Sequence, residues 1–359
     1  MDAITQALYS LPILGLLFQL VGYLVAILPD IAPFMLRAAT PLALGALCGV
    51  FCERSGVVNI GIEGTMLASA FTGWIVGVAA VGVLGPGDPG VLFGVTPALL
   101  VGLTAAVLVA IAISALHAWL SISAMANQII SGTIINIAAF GVTGYLNTLI
   151  AASSPTSAGN FTPFRPPEWL VDLPLVGWLF EMFLNQGPIA MSVIVLVVAI
   201  QVLLFRSRWG LRTRAVGEHP RAAETVGINV IRLRYRNVLL GGIPAGLAGA
   251  YLSMEATNSF QDGMTAGRGF IALAALIIGR WTPVGAFAAA LLFASSQAIG
   301  QSVNFAPPPG QLGEIMGSFP DSVWGALPYI VTIIVLAGFV GRSIPPAADG
   351  QPYERESAS

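Results

Sequence analysis

Apolar runs long enough to cross a bilayer recur along this sequence, separated by short polar breaks. No other feature limits the fold as much. One spanning helix needs about 20 mostly apolar residues. Runs of that kind fall at roughly 4–28, 32–52, 64–84, 91–113, 126–150, 188–205, 237–256, 268–279, 283–304 and 326–341. The chain of 359 residues is 56% hydrophobic and 9% charged, whereas soluble domains carry about 25% charged residues. The expected fold class is therefore all-α, a polytopic transmembrane helical bundle of about ten membrane segments. The run 268–279 is too short for a full span and ends at Gly279-Arg280-Trp281-Thr282-Pro283. It reads as a half or broken helix, tolerated only where protein or a water-filled cavity satisfies the freed backbone.

Orientation follows from arginine. Eight of the fifteen basic residues lie between Arg206 and Arg236: Arg206, Arg208, Arg212, Arg214, Arg221, Arg232, Arg234 and Arg236. Apolar stretches, Met191–Phe205 and Val238–Tyr251, flank them. Translocating so many guanidinium groups is unfavourable, so 206–236 should be a cytoplasmic loop. Alternation through ten segments then places both termini in the cytoplasm. It puts twelve arginines inside and three outside, the three being Arg37, Arg165 and Arg268. On this reading 1–342 is the transmembrane domain, 151–187 an external loop and 343–359 a cytoplasmic tail, polar and Pro-containing enough to be disordered. In the external loop, Trp169 and Trp178 should sit at headgroup depth. Asn304–Gly325 should be an ordered external loop. Ile4–Leu28 reads as a retained first helix rather than a cleaved signal.

Composition excludes several chemistries. All fifteen basic residues are Arg, so no phosphate-cradling P-loop lysine or Schiff-base lysine exists. If ATP drives this protein, a separate chain must bind it. Cys48 and Cys52 lie at i and i+4 of one apolar run and read as small buried residues. His117 and His219 both fall at the cytoplasmic edge, without partners at metal-ligand spacing. No cofactor or metal is expected. No nucleophile–base pair suggests an enzyme, and nothing points to nucleic acid.

Four segments stand out. In the arginine-rich loop, Pro220 suits a first helical position and Gly227 a left-handed cap, with two turns of helix between them. Ala222, Ala223 and Val226 would share a small smooth face. A helix that short needs a docking surface, although a solvated positive-inside loop would explain the charge alone. The second segment is Glu53-Arg54-Ser55-Gly56-Val57-Val58-Asn59-Ile60-Gly61-Ile62-Glu63-Gly64. Here Asn59 and Glu63 should be internal, packed on backbone or lining a pathway. The third is Asn127-Gln128-Ile129-Ile130-Ser131-Gly132-Thr133-Ile134-Ile135-Asn136. Its uncharged Gln128, Ser131 and Asn136 would suit either a neutral polar solute or interhelical hydrogen bonding. The fourth is Gly267–Gly285, with Glu255, Asn258, Gln297 and Gln301 nearby in sequence.

Together these segments resemble the signatures of the nucleoside and simple-sugar ABC importer permeases, within the larger group of branched-chain amino acid and ribose permeases. Glu53–Gly64 resembles the signature near their start, Asn127–Thr133 the central motif, Gly267–Gly285 the late Gly-rich motif and Ala215–Ala223 the coupling loop. The resemblance runs in order from about residue 32 to 342. It implies an ABC importer permease fold with short or broken helices in the bacterial cytoplasmic membrane. A cytoplasmic ABC ATPase would dock at Gly217, Glu218, Pro220, Arg221, Ala222, Ala223, Glu224 and Gly227. A second, different permease would complete one pathway, and an extracellular solute-binding lipoprotein would deliver a nucleoside or simple sugar. Asn59, Glu63, Gln128 and Asn136 are the candidates to line the route. The competing expectation is an ion-gradient-driven secondary transporter of a small polar solute, working through Glu63 or Glu255.

Overall fold

A computed structural model describes residues 12–88, 92–151, 159–174, 176–338 and 343–354. Among the described residues, fifteen α-helices form the framework. They are α1 (Pro12–Glu53), α2 (Ile62–Leu84), α3 (Pro97–Ala118), α4 (Gln128–Ala151), α5 (Glu168–Val171), α6 (Gly177–Leu184), α7 (Pro188–Arg206) and α8 (Arg208–Glu218). Then follow α9 (Pro220–Thr225), α10 (Val230–Ala250), α11 (Arg268–Ile278), α12 (Pro283–Phe305), α13 (Gln311–Gly317), α14 (Asp321–Gly325) and α15 (Leu327–Gly338). Helices α3 and α10 each run on into a π-helical turn, Trp119–Ser123 and Tyr251–Ala256.

Among the described residues, seven helices are long and apolar enough to cross a membrane. The expected segments 4–28 and 32–52 are not two spans. From Pro12 to Glu53 they form one helix of 42 residues that continues through Pro29, Pro33 and Pro41. The turn expected near Pro29 is absent, so alternation no longer places the N-terminus in the cytoplasm. Pro at these positions removes donors without ending the helix, as membrane helices tolerate. Of the other segments, 326–341 is described only as the 12 residues of α15, and the rest appear at or near their expected places. Helix α11 has 11 residues and is short, as its sequence suggests. Helix α10 begins seven residues before the expected 237, because Asn229 caps it by accepting a hydrogen bond from the Arg232 amide at 2.9 Å.

The chain divides into two compact units. One comprises 1–38, 165–186 and 291–341. In it Tyr23, Ile27 and Val303 form a buried cluster, and the Tyr23 hydroxyl donates to the Ala306 carbonyl at 2.9 Å. Gln186 donates to the Pro33 carbonyl at 3.1 Å. Trp169, expected at headgroup depth, is 69% exposed. In the expected external loop 304–325, helices α13 and α14 are ordered.

The other unit comprises 39–164, 187–290 and 342–359 and carries every motif. Its helices α2, α3, α4 and α10 pack closely because small residues sit at the crossings. A Cβ on Gly249 of α10 would lie 2.2 Å from the Met66 carbonyl of α2. Phe71, Trp74 and Phe260 add an aromatic cluster, with Phe71 and Phe260 edge to face at 5.1 Å. Cys48 and Cys52 are buried and free.

Candidate functional site

Between α1 and α2 the chain leaves helical conformation for residues 54–61 while staying inside the unit. Backbone groups freed in an apolar surrounding must find partners. The neighbouring motif supplies them. The Val58 amide donates to the Gln128 side chain at 2.7 Å. The Gly64 amide donates to Asn136 at 2.7 Å, and Asn136 donates in turn to the Ile60 carbonyl at 3.0 Å. His117 of α3 completes the set. Its Nε2 lies 2.9 Å from the Val58 carbonyl, which can only accept, so Nε2 carries the proton. Its Nδ1 lies 3.0 Å from the Ser131 hydroxyl. Gly61 and Gly132 bring the backbones together, since a Cβ on Gly132 would sit 2.7 Å from the Gly61 nitrogen.

The late motif joins at the other end of the same hairpin. Glu53 accepts from the Trp281 indole at 2.5 Å. Arg54 donates to the Trp281 carbonyl at 2.7 Å and to the Arg280 carbonyl at 3.0 Å. Arg280 and Trp281 both have φ of +52°, a costly conformation that turns their carbonyls toward Arg54. Burial lowers the Arg54 pKa from its ordinary value, and the Glu218 carboxylate opposes that shift. Its guanidinium also lies 5.6 Å from the Phe205 ring centroid.

Two carboxylates expected to be mechanistically interesting are helix caps. Glu63 accepts from the amides of Gly267 and Gly269 at 2.8 and 2.5 Å, at the start of α11. Glu255 accepts from Ile189 and Ala190 at 2.8 and 3.1 Å, at the start of α7. Each places negative charge at the positive end of a helix dipole.

Of the four residues expected to line a route, Asn59, Glu63 and Gln128 are therefore buried in this chain and bonded to protein, and Asn136 is partly open. Asn59 accepts from the Gly61 amide at 3.0 Å and contacts both cysteine sulfurs at 3.7 Å. Interhelical stitching is the work observed for this set.

The arginine-rich segment is mostly helical rather than an open loop. Ser207 caps α8 by accepting from Gly210 at 3.0 Å. Pro220 opens α9 at its first turn, and Gly227 closes it with φ of +83°. The expected smooth face splits. Ala223 is buried with Val216, Val230, Leu233 and Tyr353, whereas Ala222 is exposed and Val226 is 75% exposed. Gly217 touches the hairpin, because a Cβ there would lie 2.3 Å from the Arg54 carbonyl. Arg234 is buried, although it belongs to the arginine cluster.

Residues 343–354, expected to belong to a free tail, lie against the α8–α9 corner. Ala348 and Tyr353 are buried, and the Ala348 amide donates to the Gly217 carbonyl at 2.9 Å. Arg342 and residues 355–359, assigned to the inside and to the tail, lie outside the described residues. His117, Asp349 and Tyr353 were not candidate site residues from sequence, and Trp281 and Arg234 stood out only as members of the late motif and the arginine cluster. Each matters through a partner far away along the chain.

The model of the family "branched-chain amino acid transport system / permease component" matches residues 31–336. The chain belongs to that family. This permease is similar to the guanosine ABC transporter permease protein NupQ of Bacillus subtilis, at 38% identity over 92% of the chain and 98% of the relative. It is 35% identical to the nucleoside ABC transporter permease protein NupC of Lactococcus lactis, over 89% of the chain and 95% of the relative. A putative glucose ABC transporter permease protein of Haloferax volcanii, TsgC13, is 33% identical over 89% and 96%. No solved structure was found to match. The protein is thus a multi-pass membrane permease of the ABC transporter class.

Proposed function

We propose that this permease subunit carries nucleosides into the cell as part of an ATP-driven importer. The relatives' names support the solute class, since the two most similar named above are guanosine and nucleoside permeases. The observation that carries the mechanism is the direct seating of the α8–α9 corner on the hairpin 54–61, through Gly217 and Arg54. A cytoplasmic ATPase docking at Gly217, Glu218, Pro220, Arg221, Ala222, Ala223, Glu224 and Gly227 would move the hairpin that binds the central and late motifs. Coupling needs contacts that differ between two states, and this hairpin touches every motif that could differ. A second permease and an extracellular binding lipoprotein would complete the assembly. Asn136, the partly open member of its set, is our candidate for contact with the route. The gradient-driven alternative is less favoured, because Glu63 and Glu255 both serve as helix caps.

The test combines docking and solute. Ala222→Trp with Val226→Asp alters only exposed positions of the corner. Expected are normal abundance, loss of the co-purifying ATPase and loss of labelled-guanosine uptake. Wild-type uptake in that variant would overturn the docking surface. Uptake of labelled glucose but not of any nucleoside would overturn the solute class.

A further inference from the structure

The segment 343–354 crosses three parts of the machinery that the transport reading must link. At one end the Ser343 hydroxyl donates to the Ile277 carbonyl, at the C-terminal end of α11, at 2.8 Å. In the middle it lies against the hairpin. A Cβ on Gly56 would meet the Ala348 carbonyl at 2.9 Å and the Arg234 guanidinium at 2.7 Å. A Cβ on Gly350 would lie 3.3 Å from Val58. Asp349 faces the Glu53 carboxyl. Further along, Ala348 donates to Gly217, and the Ala347 amide donates to the Glu218 carboxylate at 3.2 Å. At the far end the Tyr353 hydroxyl donates to the Glu224 carboxylate of α9, and its ring covers Ala223. Arg234 fixes the crossing from below. It is 1% exposed, donates to the Gln351 carbonyl at 2.9 Å, and lies 5.9 Å from the Tyr353 ring centroid. A buried guanidinium is costly unless partnered; the Arg234 Nε and Nη2 have no hydrogen-bond partner among the described residues, and the bond its Nη1 makes, with the opposite charge of Asp349, comes from the tail.

We infer that residues 343–354 form a strap that ties α9 to the hairpin 54–61, and that Tyr353, Gln351 and Arg234 are positioning residues for coupling. The strap gives α9 a second mechanical connection to the motifs, parallel to the one through α8 and Gly217. Without it α9 would still present Ala222 and Val226 to an ATPase, but its displacement would pass less fully to the hairpin. The inference rests on the docking reading above.

The experiment uses the assembled importer in proteoliposomes and measures solute moved per ATP hydrolysed. Two variants are compared, a chain ending at Ser343 and Tyr353→Phe, which removes one hydroxyl and keeps the ring. Both should still co-purify with the ATPase and hydrolyse ATP. The ratio should fall by about threefold in Tyr353→Phe, as expected for one hydrogen bond, and further in the truncation. A merely structural strap would lower yield or thermal stability without moving the ratio. A wild-type ratio in Tyr353→Phe overturns the inference, whatever the truncation does to abundance. The Ala222→Trp, Val226→Asp variant separates the two ideas. If it transports normally, the docking reading has failed. If it is inactive while Tyr353→Phe keeps the wild-type ratio, only the strap has failed.

Discussion

Asp349 shows how one side chain can make a surface attachment depend on pH. Burial pushes its carboxyl up to about 7, while Glu53, the Gly350 amide and Arg234 hold it down. The groups facing it are thus the Glu53 carboxyl, itself bonded to the Trp281 indole, and the Arg234 guanidinium. In a detached segment the same carboxyl would titrate near its ordinary 3.8. Between those two values only the attached form holds the proton. Attachment is therefore tightest below about 4, weakens as pH rises toward 7, and changes little above that. Hydrogen exchange of the 343–354 amides should be faster at pH 8 than at pH 5.5, after correction for intrinsic rates. Asp349→Asn should reduce that difference. A pH response undiminished by the substitution would show that another group controls the attachment.

At the level of elements, legibility depended on whether the decisive contact was local. Helix α9 was readable because Pro220 and Gly227 act within a few residues of their own backbone. The shortness of α11 was readable from the glycines and Pro283 around it. The continuity of α1 was not, since Pro29 signals a break in water but a membrane helix can run through it. The strap was not readable either, because its composition is that of a free tail and its order comes from Gly217, Glu224 and Arg234, more than a hundred residues away. The four motifs were each visible. Their convergence on one hairpin was not, because no periodicity encodes which helix supplies Gln128 or Trp281 to it. Helix α2 allows a test of how tightly that convergence is packed. A Cβ on Gly64 would lie 2.7 Å from the Asn136 Cα and 2.8 Å from the Ile135 carbonyl, whereas one on Gly82 would meet nothing within 4 Å. Overpacking against backbone costs roughly 1–3 kcal/mol, while Gly→Ala in an open helical position gains up to about 1 kcal/mol. Gly64→Ala should lower the thermal stability of the purified protein, and Gly82→Ala should leave it unchanged or raised. Equal stability of the two would mean that α2 and α4 are further apart than the structure places them.

For the whole molecule, sidedness is the property from which the transport reading starts, and it rests on arginine. Seven of the eight clustered guanidinium groups remain at least partly open to solvent around α8, α9 and the start of α10; only Arg234 is buried. Helical or not, the segment carries a cluster of charge that is unfavourable to translocate. The strap adds a consequence. Because 343–354 bonds to Gly217, Glu218 and Glu224, it must lie on the same side of the membrane as the cluster. Helix α2 supplies the opposite reference point. Its 23 residues span about 35 Å at 1.5 Å per residue, enough to cross the hydrocarbon core. It starts beside the hairpin that Gly217 touches, so Leu84 should emerge on the outer side. Single cysteines at Val226, Glu354 and Leu84 can be probed with a membrane-impermeant maleimide, with native Cys48 and Cys52 buried. Leu84→Cys should react in intact cells. Val226→Cys and Glu354→Cys should react only in inside-out vesicles, and both together. Labelling of Val226→Cys in intact cells would reverse the orientation and with it the assignment of α9 to a cytoplasmic ATPase. Labelling of Glu354→Cys from the side opposite to Val226→Cys would contradict the strap while leaving the orientation standing.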